Sequence, residues 1–166
     1  SSGQESYTLA MAIVDNVPSL AMPGRTKIVS TDGSPEMVQR TKEGKYSRFE
    51  VNRGLPTTLA VKHFDQSGRS WTAKPALRSM IDARERNLLG PWRGIPKCDV
   101  VLLRNVLIYF DVDTKRRVLD GVLRNLAPDG YVLLGGAETT LNIHEGYARE
   151  RIGQATVYRP KDSLAK

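Results

Sequence analysis

Residues 98–105, CDVVLLRN, set an unbroken aliphatic run, Val100 to Leu103, directly before an arginine and an asparagine. A short continuous apolar run is the pattern of a strand covered on both faces, as in a parallel sheet. Arg104 and Asn105 do not suit the inside of such a strand. Placed just past its carboxyl end, they emerge at the edge where open α/β sheets bind their ligands.

The rest of the chain alternates in the same way. QESYTLAMAIVDNV puts Tyr7, Ala10, Met11 and Val14 at helical spacing, so a helix opens near Gln4. TKIVSTD is a β-branched strand ending in Asp32, and SPEMVQRTKEGKY is a helix with Ser34 as N-cap, Pro35 at its first position and Gly44 as terminator. Between Ser47 and Trp92 the pattern is less regular: PTTLAVKHF reads as a short helix, FDQSGRSWTA as a turn at Gly68 leading into a strand, and ALRSMIDARERNLL as a strand before Asn87. TKRRVLDGVLRNLAPDG carries a stripe of Leu119, Val122, Leu123 and Leu126 and is expected to close at Pro128 and Gly130. YVLLGG and ATVYR are further strands, joined by the polar connection AETTLNIHEGYARERIG. Strands alternating with helices predict an α/β fold, a mostly parallel sheet with helices on both faces and an antiparallel return in the last strand.

At 166 residues the chain suits one domain, expected over 1–160 with a tail over 161–166. Its net charge of +7 is spread over the helices, and aromatics, 7% of the chain, interleave no basic cluster. Direct binding of nucleic acid is therefore not expected. No apolar stretch approaches twenty residues, so no membrane insertion is expected, and with no charged-then-apolar leader a cytoplasmic location is the default. Cys98 is the only cysteine and reads as an inert thiol. His63 and His144 are isolated in sequence and read as surface or structural residues; no metal site is expected.

Chemistry is expected at the strand ends. Asp32 offers a carboxylate that can accept both hydroxyls of a ribose, although a strand-ending Asp is also a common turn former. Asn87 carries the donor and acceptor an adenine edge requires, and Glu5 sits in the first turn of a helix, where it suits the dipole or a ligand ammonium. With the turn at Ser1, Ser2 and Gly3, these residues sketch a site for a nucleoside with an amino-acid tail.

RNVLIYFD, the preceding CDVVLL and the following LAPDGYVLLGGAE resemble the carboxyl-terminal domain of the chemotaxis receptor methyltransferases, CheR type. SSGQESYTLAM resembles that family's glycine-containing first motif, STD its ribose-binding acid motif, and RGLP with RERNLL its central segment, so the resemblance runs from Ser1 to about Arg159. It implies a Rossmann-like class I methyltransferase fold, S-adenosylmethionine as cofactor with S-adenosylhomocysteine as product, and methyl-ester formation on glutamates in the cytoplasmic helices of chemoreceptors. By the same resemblance Gly3 belongs to the cofactor turn, Glu5 holds the methionine part, Asp32 the ribose, and Asn87 with Leu88 the adenine. Arg104 and Asn105 line the pocket beside the transferable methyl, with Arg104 and Tyr109 as the catalytic pair, Tyr109 being placed on the same side of a helical turn as Asn105.

The resemblance also implies a small β-subdomain at about 62–81, here short. Gly33 departs from the larger apolar residue usual after the ribose acid. The family's upstream basic domain, linker and first strand have no counterpart in the sequence, so an amino-terminal segment or a second chain is expected to complete the sheet. The alternative function is a non-catalytic cofactor-binding or interaction module of the same fold. A nucleic-acid methyltransferase is disfavoured because no base-flipping motif is present.

Overall fold

The computed structural model describes residues 2–161. Ser1, part of the turn considered above, and residues 162–166 of the expected tail lie outside them. The chain folds as two compact units, one ending at Asn87 and one starting at Leu88.

In the first unit, helix α1 (Gln4–Asn16) buries Tyr7, Ala10 and Met11, the residues its spacing singled out. Strand β1 (Ile28–Asp32) leads into α2 (Pro35–Glu43), whose amino end is capped by the Ser34 hydroxyl accepting from the Met37 amide and whose carboxyl end is closed by Gly44 at φ 59°. Strand β2 (Lys45–Ser47) and helix α3 (Arg48–Asn52) follow; neither was predicted. The signal for α3 was present, since Ser47 and Glu50 form a reciprocal capping box.

Helix α4 (Thr57–His63) precedes the hairpin β3 (Phe64–Ser67) and β4 (Ser70–Ala73), which turns at Gly68. Together β2, β4 and β3 make a three-stranded antiparallel sheet, so the small sheet starts at Lys45, upstream of the 62–81 interval. Short α5 (Pro75–Arg78) leads to β5 (Ile81–Glu85), which pairs in parallel with β1 from Ile28↔Ile81 to Asp32↔Glu85. Tyr46 packs edge to face with both Tyr7 and Phe64, whose own rings are tilted at 53° to each other, in a core that also holds Leu77 and Met80.

The second unit is built on β6 (Cys98–Leu103), α6 (Val112–Asn125), β7 (Leu126–Leu134), β8 (Tyr147–Ile152) and β9 (Ala155–Pro160), its sheet ordered β6-β7-β9-β8. The apolar stripe of α6 sends Val118, Leu119 and Val122 against Leu103, Val132 and Tyr158. Burying each such side chain contributes roughly 1.5–3 kcal/mol.

Two expectations are corrected here. The helix ends at Asn125 rather than at Pro128, because Leu126 is already buried in β7 and the Lys97 ammonium donates to the Arg124 and Leu126 carbonyls. The polar connection before ATVYR contains a strand, β8, hydrogen-bonded to β9 from Tyr147↔Pro160 to Ile152↔Ala155. Only its Tyr147 is buried, so YARERI carries none of the apolar alternation that marks a strand in sequence.

The parallel expectation holds for β1 with β5 and for β6 with β7, and the last strand, β9, runs antiparallel to β7 as expected. Among the described residues these pairs lie in separate sheets, not in the one continuous sheet that strand alternation suggested.

Candidate functional site

In the first unit the parallel register of β1 and β5 brings their carboxyl ends to one edge, with Asp32 opposite Glu85. The Asp32 carboxylate accepts the Ser34 amide at 2.8 Å, and its carbonyl accepts the Arg86 amide at 2.8 Å. Asn87, the next residue after Arg86, therefore sits two positions beyond the end of β5 and is exposed on the same edge. The first turn of α1 is tied to that sheet two residues before Asp32, where the Ser6 hydroxyl donates to the Ser30 hydroxyl at 3.0 Å. Glu5 lies in this turn, partly exposed.

Gly3 forms the N-cap of α1 at φ 89°. A Cβ there would stand 2.9 Å from the Thr41 side chain, so both the dihedral and the space require glycine. The turn is held from two sides: the Tyr46 hydroxyl donates to the Ser2 carbonyl at 2.8 Å, and the Tyr7 hydroxyl donates to the Thr41 carbonyl at 2.9 Å. Burial pushes the Tyr7 phenol up to about 12, so it remains a donor across the physiological range. The first unit thus gathers Gly3, Glu5, Asp32 and Asn87.

The second unit holds Leu88, Arg104, Asn105 and Tyr109. Leu88 packs partly buried against the Leu119 cluster. Arg104 and Asn105 follow the end of β6, as the sequence predicted, and both are exposed. Asn105 is in the left-handed region at φ 56°, a conformation asparagine tolerates better than most residues and which costs about 1 kcal/mol. The placement of Tyr109 on a helical turn with Asn105 is corrected by this dihedral: the next helical turn is a 3-10 turn starting only at Leu107, and Tyr109 stands 79% exposed.

The sequence reading missed Glu138. Its carboxylate reaches the loop after β6 from the end of β7: one oxygen accepts the Asn105 amide at 2.8 Å and the Gly135 amide at 2.7 Å, the other the Val106 amide at 2.9 Å and the Ile108 amide at 3.3 Å. Burial works to raise its proton affinity, but the four backbone donors outweigh it and hold the carboxyl below its ordinary value. Gly135 makes room, since a Cβ there would stand 2.6 Å from that carboxylate and 2.9 Å from the Asn105 nitrogen. An acid following a glycine pair at a strand end was the available signal in LLGGAE.

The histidines are structural. His63 is buried against Asp15, and the His144 ring approaches Asp120 at 2.8 Å. Burial first, then nearby Asp99, raises the Cys98 thiol's pKa, as befits an unreactive group. A cavity of about 710 Å³ in the second unit runs along the connection between β7 and β8, past Arg116, Asp120, His144 and Arg149; it touches none of the predicted site residues. Among the described residues no helix is long and apolar enough to cross a membrane.

Taken by itself, the first unit offers two carboxylates and an amide beside a turn that excludes any side chain larger than hydrogen, a donor set that fits a nucleoside with an amino-acid tail. The second unit, by itself, presents an arginine and an asparagine on a loop held by a carboxylate.

Comparison with known proteins gives the same direction. The chain is 37% identical over 164 residues to chemotaxis protein methyltransferase 1 of Pseudomonas aeruginosa, covering 97% of this chain and 60% of that protein. It is 36% identical over 166 residues to chemotaxis protein methyltransferase Cher2 of Pseudomonas putida, again with 97% and 60% covered. The chain thus spans about 60% of the length of these curated relatives. Among solved structures it resembles the mitomycin 7-O-methyltransferase MmcR (TM-score 0.52, 14% identity, 93% of this chain and 46% of that one) and a LepI variant in complex with SAH and a substrate analogue (TM-score 0.53, 12% identity, 96% and 41%). These likenesses carry the fold, a Rossmann-like class I methyltransferase fold. A family model described as "CheR methyltransferase, SAM binding domain" matches residues 1–155, and the chain belongs to that family.

Proposed function

We propose that this chain is the catalytic domain of a protein-glutamate O-methyltransferase, which uses S-adenosylmethionine to form methyl esters on glutamates in the cytoplasmic helices of chemoreceptors. The observation that carries the reading is the family match over residues 1–155, which takes in every strand end where the polar residues stand. In the first unit, Gly3 gives the cofactor's methionine part close approach to backbone, Glu5 pairs its ammonium, Asp32 accepts the ribose hydroxyls and Asn87 reads the adenine edge. In the second, Leu88 packs on the adenine, Asn105 and Arg104 hold the region of the transferable methyl, and exposed Tyr109 meets the acceptor.

When bound, the cofactor supplies a methyl group already activated on a sulfonium. A glutamate carboxylate is ionised near neutrality, so the chain needs no strong general base. Its residues act by alignment, holding the acceptor oxygen in line with the methyl carbon and away from water, which makes a bimolecular displacement effectively intramolecular. The setting is cytoplasmic, where receptor signalling helices are accessible.

The test is transfer of labelled methyl from S-adenosylmethionine by the natural full-length protein to receptor cytoplasmic fragments. Label released by mild base as methanol supports the reading. A base-stable methyl on nucleic acid would overturn it. Cofactor binding without any transfer would favour a non-catalytic binding module.

A further inference from the structure

Glu138 has no ion-pair partner among the described residues, yet both its oxygens accept two backbone amides each, from Asn105, Gly135, Val106 and Ile108. Three of those amides belong to the loop that follows β6, and the fourth to the end of the neighbouring parallel strand β7, where Leu103 is in register with Leu134. The carboxylate therefore ties the ends of two adjacent strands to one point. It does so at Asn105, one of two non-glycine residues with a positive φ among the described residues, at 56°.

We infer that Glu138 is the positioning residue of the cofactor loop: its charge fixes the backbone from Asn105 to Ile108 so that the side chains of Arg104, Asn105 and Tyr109 are presented outward in one arrangement. This rests on the proposed reading of that loop as part of the S-adenosylmethionine site. The argument has three parts. Charged acceptors bind amides more strongly than neutral ones, and four amides converging on one carboxylate leave the loop few alternative conformations. The pointing residues are themselves exposed, so packing alone does not orient them. And with the amides of Asn105, Val106 and Ile108 committed to Glu138, the loop lacks the cluster of outward N–H donors that phosphate-binding loops use. Its fixed negative charge instead suits a ligand that brings positive charge, as a sulfonium or an ammonium does.

The test uses the natural full-length protein, with S-adenosylhomocysteine affinity measured by calorimetry well below the melting temperature, alongside hydrogen exchange at individual amides. Glu138→Gln keeps the shape but removes the charge and turns one acceptor into a donor. It is expected to weaken S-adenosylhomocysteine binding roughly tenfold or more while exchange quickens at Asn105, Val106 and Ile108 and stays slow in α6. Glu138→Asp withdraws the charge by one methylene and serves as the second variant should the first not fold; it is expected to weaken binding in the same direction. A folded variant that binds as tightly as the unaltered protein would overturn the inference, even with faster exchange, because the residue would then be merely structural. If the unaltered protein itself fails to bind S-adenosylhomocysteine, the proposed function falls, a result distinct from tight binding by both forms.

Discussion

The buried ring of His63 lies 3.0 Å from the Asp15 carboxylate, joining α4 to α1, while the Lys62 ammonium stands 2.7 Å from the same carboxylate. The hydrogen bond from Lys62, then that from His63, holds Asp15 below the ordinary carboxylate value. A carboxyl depressed in the folded state contributes stability above its unfolded value, and that contribution disappears as pH falls through the folded value. Melting temperature is therefore expected to drop below about pH 4, less steeply in Asp15→Asn. His63→Ala, which removes a side chain only 5% exposed, is expected to lower stability by roughly 1–3 kcal/mol in a denaturant titration.

Gly121 sits inside α6, where alanine would ordinarily stabilise a helix by about 1 kcal/mol. Here a Cβ would stand 2.5 Å from the Trp92 indole nitrogen and 2.8 Å from its ring carbon. Overpacking of this kind costs about 1–3 kcal/mol and outweighs the propensity gain. Gly121→Ala is expected to be destabilised, with an altered tryptophan fluorescence spectrum; a stabilised variant would show that Trp92 moves aside freely.

Asn105 separates conformation from contact. Asn105→Gly keeps the left-handed backbone and removes the side chain, whereas Asn105→Ala removes the side chain and adds about 1 kcal/mol of backbone strain. If the side chain touches the cofactor, both variants lose S-adenosylhomocysteine affinity by roughly tenfold, Asn105→Ala slightly more. Retained affinity in Asn105→Gly would assign the residue to loop shape alone.

Gly33 follows Asp32, the proposed ribose acid, and nothing requires it to be glycine: it does not have a positive φ, and a Cβ would meet only the Arg86 carbonyl at 4.0 Å, an ordinary contact. Gly33→Ile is expected to fold and, by adding apolar surface where the family usually has it, to tighten S-adenosylhomocysteine binding several-fold. Unchanged affinity in a folded variant would mean that this position does not reach the adenine.

The polar residues at the strand ends were legible because the chemistry there contradicts the local pattern. Arg104 and Asn105 interrupt an aliphatic run, and Asp32 closes a β-branched one, so their place beyond β6 and at the end of β1 followed from the strands alone. The same held for α2, whose Ser34 cap and Gly44 stop are local signals, and for the antiparallel course of β9. What escaped were features settled by distant partners. Strand β8 exists because β9 offers it a ladder, although half of its side chains are charged and only Tyr147 is buried. Asn105 takes a left-handed dihedral, and Tyr109 leaves the helical turn expected of it, with a carboxylate thirty-three residues beyond Asn105 in sequence holding the loop's amides. Periodicity and caps are written in neighbouring residues, and the sequence determined what depends on them; the backbone geometry around Glu138 depends on hydrogen bonds between remote segments, which only the tertiary structure decided.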